Sequence, residues 1–559
     1  MASITAPLAS EQRKVVRDSL IVTLGGQLER ALGTLTALAL RWGLRPEQLG
    51  NYIGLRLYLD NTNRSSLGVG LGAVQEIPIL RAAGRDADAQ RVADVAYTTN
   101  TLTCLVYAAA LLVWAWLRAP LVSVDPLADE WTWGLVAIAG LAIVKRYESF
   151  LIAVLRSYRE FALTTELDIV EALVSIVAVS AGLWLAGFWG LLAAVGLILS
   201  VKIVYLHARH PFRFRWAWDV KTASRLMALG LPILANTAVF GAVLNLDRVL
   251  ILWRVPEGER AAGLYSIAIM GTSWSLDLAG RIVSVMYTSF QTTLGRTGDR
   301  VEVARQAARA TEAQAPVLAA GSAVAYLVGP VFLGLLMPRY AEGLPALRPL
   351  LPGMALLGLA WPARQMLIAI ERPYRLFLAT CLGLLLTAVA GTVGADRAGI
   401  VGVARGMSIG YATVFALTSA TAFLPALGWQ GWLTHQFRLA RTLSWYAAGA
   451  VIAAHVPRAN FAIRCALLAV WLLPALWSWG RAHHWGGLLN RGQEDCQVTR
   501  SSPATPHPNP PPQGGRALDR PVFSEAPSPS PLVGEGRVGG RARHGGRTWR
   551  SSWNRGKDA

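Results

Sequence analysis

Charged side chains are scarce in this 559-residue chain: Asp, Glu, Lys and Arg make up only 16% of it, below the roughly one-quarter found in ordinary soluble domains. A soluble multidomain enzyme of this length is thereby disfavoured. Cysteine is rare too. Cys104, Cys381, Cys465 and Cys496 are scattered without CxxC or Cys/His ligand spacing, so the sequence suggests neither a disulfide framework nor a zinc site. No P-loop, HExxH or GxSxG pattern occurs, and with it goes any sign of an ATP-driven motor or a familiar hydrolase. His207, His210, His435 and His483 also lack metal spacing, and no cofactor is expected.

What is plentiful is apolar sequence, with 53% of residues hydrophobic. Runs of about 20 apolar residues, each enough to cross a bilayer, recur near 18–40, 50–80, 95–117, 131–154, 164–186, 188–207, 228–253, 264–289, 313–337, 346–370, 374–394, 399–424, 441–457 and 460–480. They predict an all-α integral membrane protein of roughly fourteen spans. The net charge of +19 is spread over short loops and the C-terminal tail, which suits topology better than nucleic-acid binding. With the N-terminus in the cytoplasm, Arg81, Arg85 and Arg91, Lys145 and Arg146, Arg209 to Arg225, Arg296 to Arg309, and Arg438 and Arg441 all fall on one side, as the positive-inside rule requires. An even number of spans returns the C-terminus to that side. Arg13, Lys14 and Arg17 precede the first apolar run without a small-residue cleavage site, so it reads as an uncleaved span.

An internal repeat shows when loops are compared. GNY at 50–52 is echoed by GLY at 263–265, and GRDADAQRV at 84–92 by GDRVEVARQ at 298–306. The shared offset of about 213 residues predicts a duplicated six-span bundle, its copies parallel because six is even. The expected divisions are 1–215 and 216–425 for the two lobes, 426–489 for two added helices, and 490–559 for a Pro/Gly/Arg-rich tail that cannot bury enough apolar surface to fold. The tail reads more like a reading frame extended through a GC-rich repeat than a partner-binding segment.

Charged groups inside apolar spans cost several kcal/mol unless they meet a polar cavity or a partner. They cluster here in the first span (Gln27, Glu29, Arg30), the second (Arg56, Asp60, Arg64), the seventh (Asn236, Asn245, Asp247, Arg248) and the eighth (Asp277, Arg281). Those spans are the matching pairs of the two halves, so the side chains are expected to converge between them. Arginine's planar fork suits phosphate oxygens, which makes the functional reading a cationic cavity for an anionic headgroup. The competing reading is internal pairing, Glu29 with Arg30, Asp247 with Arg248, Asp277 with Arg281; only the last has i,i+4 spacing. Glu148, Glu166, Asp168 and Glu171 are expected to pair with Lys145, Arg146, Arg156 or Arg159 rather than to couple an ion.

Three stretches, NRSSLGVGLGAVQEIPILRAAGRDADAQRV, LPILANTAVFGAVLNLDRVLIL followed by GLYSIA, and MPRYAEGLPALRPLL, resemble the polysaccharide-export flippases of the MATE/MOP superfamily. The resemblance spans about residues 15–480. It implies two six-helix lobes rocking about a central site, with two extra C-terminal helices. It further implies a polyprenyl-pyrophosphate-linked oligosaccharide as substrate, moved across the bacterial inner membrane for O-antigen, capsule or exopolysaccharide assembly, alongside a polysaccharide polymerase and glycosyltransferases. Carried over, Arg30 and Arg248 are the leading headgroup candidates, then Arg281, with Asp247 as orienting partner and Glu29, Asn245, Arg56 and Asp277 around them. A cation-coupled multidrug exporter is the alternative, for which an acidic cavity would be expected. A membrane glycosyltransferase or ligase would need a long loop that the sequence lacks.

Overall fold

The structure, a computed structural model, describes residues 29, 32–119, 126–158, 161–210, 212–370, 372–456 and 460–482. The expected tail, 490–559, lies outside them. Every regular element among the described residues is helical. We number them α1 (32–43), α2 (Pro46–Asn61), α3 (Val69–Ala82), α4 (Asp86–Arg118), α5 (Pro126–Ser157), α6 (Phe161–Arg209), α7 (Val220–Arg254), α8 (Gly258–Thr297), α9 (Arg300–Leu336), α10 (Leu347–Leu359), α11 (Trp361–Ala369), α12 (Pro373–His455) and α13 (Phe461–Ala482). Six stretches of them are long and apolar enough to cross a membrane: Asp86–Arg118, Glu166–Arg209, Val220–Arg254, Arg300–Leu336, Pro338–Ala369 and Pro373–His455.

Two of these are longer than any bilayer, and both turn back on themselves. Gly187 takes φ 54°, ψ −126° and Gly399 takes φ 51°, ψ −133°, backbone that favours glycine. Residues eight apart in an unbroken helix are separated by about 12 Å. Here a Cβ on Gly182 would lie 2.4 Å from the carbonyl oxygen of Gly190, and one on Gly394 2.1 Å from that of Gly402. The chain has therefore reversed at each site. A third reversal, at Gly428 (φ 71°), brings the Gln436 amide to donate to the Ser419 hydroxyl at 2.5 Å.

The first two reversals lie 212 residues apart, so the offset read from the loops recurs in the backbone. It recurs again where α2 meets α8. A Cβ on Gly50 would sit 1.6 Å from the Glu259 carbonyl oxygen, and one on Gly263 would sit 1.8 Å from that of Pro46. Gly50 and Gly263 are 213 residues apart, as are Pro46 and Glu259. The two contacts are copies of one another about a pseudo-twofold axis, and each requires glycine for backbone to approach backbone. Around them Arg260 pairs with Glu342 at 3.0 Å and Glu47 at 3.5 Å, and Tyr340 donates to the Leu44 carbonyl at 3.0 Å.

The apolar stretch expected as one helix over 50–80 is broken. A 3₁₀ turn, Thr62–Ser66, and left-handed Leu67 and Gly68 separate α2 from α3. The cause is local: the Ser65 and Ser66 hydroxyls donate to the carbonyls of Thr62 and Asn63 at 2.9 and 2.8 Å, competing with the helix ladder. Beyond the break α3 crosses α7, where a Cβ on Gly230 would meet the Gly68 carbonyl oxygen at 1.9 Å. Nearer the basic loops Arg225 pairs with Glu76 at 2.5 Å and Arg91 with Asp219 at 3.3 Å.

Candidate functional site

Where α1, α2, α7 and α8 converge they enclose a cavity of about 320 Å³ lined by Arg41, Tyr52, Arg56, Asp60, Arg248 and Ser266, with apolar residues between them. These are the four spans whose polar residues were expected to meet. Arg56 forms an i,i+4 ion pair with Asp60 at 3.6 Å, both side chains half-exposed. Arg248 donates to the Asn245 side-chain oxygen, whose own amide is anchored on the Gly241 carbonyl at 2.9 Å. Arg41 is buried and spans the two halves of the sequence, donating to Ala37 O at 2.7 Å on its own helix and to Ser266 O at 2.9 Å on α8.

Asp60 also lines a second cavity, of about 520 Å³, with Arg64, Lys145, Arg146, Glu148 and Lys202 on its wall and α7 on its far side at Leu234, Thr237 and Ala238. The guanidinium of Arg64 donates to the Asn61 amide oxygen and sits where a Cβ on Gly241 would be, 2.1 Å from it. Arg146 donates to Asn63 O at 3.1 Å and to the Ser65 hydroxyl. Glu148 is fully buried between Lys145 at 3.0 Å and Lys202 at 2.5 Å, and Lys202 also pairs with Glu171. Together the adjoining cavities present seven cations and two carboxylates. In a low-dielectric surround such an excess attracts anions and repels cations.

Set against the sequence expectations, Arg56 and Arg248 line the first cavity and Asn245 supports it. Asp247 does not line it: its carboxylate is buried beside Tyr265 and Tyr411 and accepts from the backbone N–H of Arg248 at 2.8 Å. The side chain that Arg248 meets is Asn245. Asp277 and Glu29 are exposed and neither lines either cavity. Arg30 and the Arg281 side chain lie outside the described residues. Lys145 pairs with Glu148 as expected, whereas Arg146 holds the 3₁₀ turn, Glu171 takes Lys202, and Glu166 takes Arg209 at 2.9 Å. Arg41, Arg146 and Lys202 were not singled out as cavity residues; each reads locally as loop charge or span end, and only the tertiary contacts turn it inward. Among the described residues no group of His, Cys, Asp or Glu is placed to hold a metal ion.

The fold is similar to that of solved transporters and flippases of the MOP superfamily. The chain superposes on the lipid II flippase MurJ in an inward closed conformation with a TM-score of 0.63 and 11% identity, over 83% of this chain and 99% of that one. It superposes on an inward-facing multidrug resistance MATE family transporter of the MOP superfamily with a TM-score of 0.57 and 15% identity, over 74% and 96%. Residues 80–335 match the family described as polysaccharide biosynthesis protein, in line with the resemblance seen in the sequence. No curated protein sequence matches the chain.

Proposed function

We propose that this protein is a flippase for a polyprenyl-pyrophosphate-linked oligosaccharide, working by alternating access in a bacterial inner membrane. The single observation that carries the reading is the row of Arg41, Arg56 and Arg248 at the junction of α1, α2, α7 and α8. A diphosphate needs several converging cations. Asp60 serves as counter-ion to Arg56 while the site is empty, and a half-exposed pair of that kind is worth only about 0–1 kcal/mol, so an incoming phosphate displaces it at small cost. The polar walls of the second cavity then receive the sugars. The family match over residues 80–335 supports a glycan rather than a drug, and a cation-rich cavity repels the cationic compounds a multidrug exporter would carry.

On this reading the lobes are residues 1–215 and 216–425, residues 426–489 add two helices, the chain makes about fourteen crossings, and both termini are cytoplasmic. The α2–α8 contact then closes the periplasmic face. The substrate arrives from cytoplasmic glycosyltransferases and leaves toward a polymerase. The test is deletion of the gene in its host, complemented with wild type, Arg56→Ala or Arg248→Ala. Charge-assisted hydrogen bonds are worth about 1.5–3 kcal/mol each, so each variant is expected to cut surface glycan roughly ten- to a hundredfold while lipid-linked precursor accumulates on the inner leaflet. Normal surface glycan with altered resistance to cationic compounds would overturn the proposal.

A further inference from the structure

A third cavity, of about 490 Å³, lies away from the transport site, between the first turns of α9 and the stretch of α12 that follows the reversal at Gly428. α9 contributes Glu302, Arg305, Arg309 and Glu312, and α12 contributes His435 and Arg438. Each carboxylate is shared between two partners. Glu302 meets Arg309 at 2.8 Å and Arg305 at 3.6 Å, while Glu312 meets the His435 ring at 2.9 Å and Arg438 at 3.4 Å. Three arginines thus face two carboxylates. A guanidinium has five N–H donors, and Arg305, Arg309 and Arg438 are 59%, 70% and 59% exposed, so donors remain for an outside ligand.

The surroundings point to which ligand. On other faces of the same helix, Trp429 and Phe437 are 61% and 70% exposed, aromatic groups of the kind that settle at headgroup depth. The arginines belong to the basic-loop end of the helices, where anionic lipid attracts cations. His435 forms a buried inner wall, 3% exposed, its ring edge-on to Phe423 at 5.2 Å. We propose that this cavity binds the phosphate of an anionic phospholipid and so fastens the helix that follows Gly428 to α9. Guanidinium and phosphate supply the affinity, and the position at the basic-loop end of the helices, where anionic lipid gathers, favours a lipid over a free ion.

The experiment uses the purified full-length protein in detergent, with thermal stability followed as phosphatidylglycerol, phosphatidylcholine or inorganic phosphate is added. Wild type is compared with Arg309→Gln/Arg438→Gln, with Arg438→Gln alone, and with Arg397→Gln, an exposed arginine at the opposite end. Each arginine near a membrane surface is worth about 1 kcal/mol toward anionic lipid. The phosphatidylglycerol concentration for half-maximal stabilisation should therefore rise about fivefold in the single variant and roughly thirtyfold in the double, and stay unchanged in Arg397→Gln. If the double variant does not fold, the single variant decides alone. Equal protection by phosphatidylcholine, equal protection by inorganic phosphate, or an unshifted response in Arg438→Gln would each overturn the proposal.

Discussion

Arg248 takes its direction from an amide three residues earlier, not from the carboxylate beside it. Asn245→Ala should therefore leave the protein folded but weaken substrate engagement by roughly three- to tenfold, as loss of a hydrogen bond worth about 0.5–1.5 kcal/mol implies; flipping of a lipid-linked oligosaccharide in vesicles measures it. Asp247→Asn should act instead on stability, since that carboxylate sits in the core against two tyrosines. Gly241→Ala offers a different kind of probe. Its methyl would occupy the position of the Arg64 guanidinium, and because that group ends a flexible side chain it should swing away rather than unfold the helix. The expected outcome is normal expression with lowered flipping. The sequence could show that arginines were concentrated in these four spans. It could not show Arg41 among them: at the end of an apolar run an arginine looks like a topology signal, and its acceptor on Ser266 lies 225 residues away.

At the scale of elements both ends of the bundle are held by glycine crossings with ion pairs beside them. Two backbone contacts and the Arg260–Glu47 pair hold α2 to α8, while a glycine crossing and the Glu76–Arg225 pair join α3 to α7, and Arg91 of α4 reaches Asp219 at the start of α7. A methyl on Gly50 cannot coexist with the Glu259 carbonyl, so Gly50→Ala should part α2 from α8. A cysteine placed at Ile53, on the cavity wall, should then react faster with a membrane-impermeant thiol reagent added from outside, in a background without native cysteines; an unchanged rate would refute it. Asp219 also caps α7, and its carboxyl is held below the usual carboxylate range, first by the Thr222 hydroxyl and then by backbone N–H groups. A depressed carboxylate contributes above its unfolded value of about 3.9 and loses that contribution as the pH falls through its lower folded value. The cap should thus be indifferent to pH at neutrality and fail only in strong acid, as amide exchange at the start of α7 would report. Helix existence and the 213-residue repeat were legible because hydrophobic runs and loop motifs are local. The break after Asn61 was legible only as weak apolarity, since its cause is side-chain hydroxyls competing for carbonyls that a hydropathy pattern does not register.

For the molecule as a whole, the helical body ends its described course at Ala482, before the compositional change near residue 490. A chain truncated at 490 should restore surface glycan in the deletion strain as fully as wild type does. The paired glycine contacts carry a further consequence. Two rods riveted at a single point can pivot like scissors; riveted at two, they cannot swivel and must be peeled apart. Because Gly50–Glu259 and Gly263–Pro46 are separate rivets related by one axis, opening in the proposed cycle should require both to part together, and a protein with one rivet removed should be loose and leaky rather than jammed.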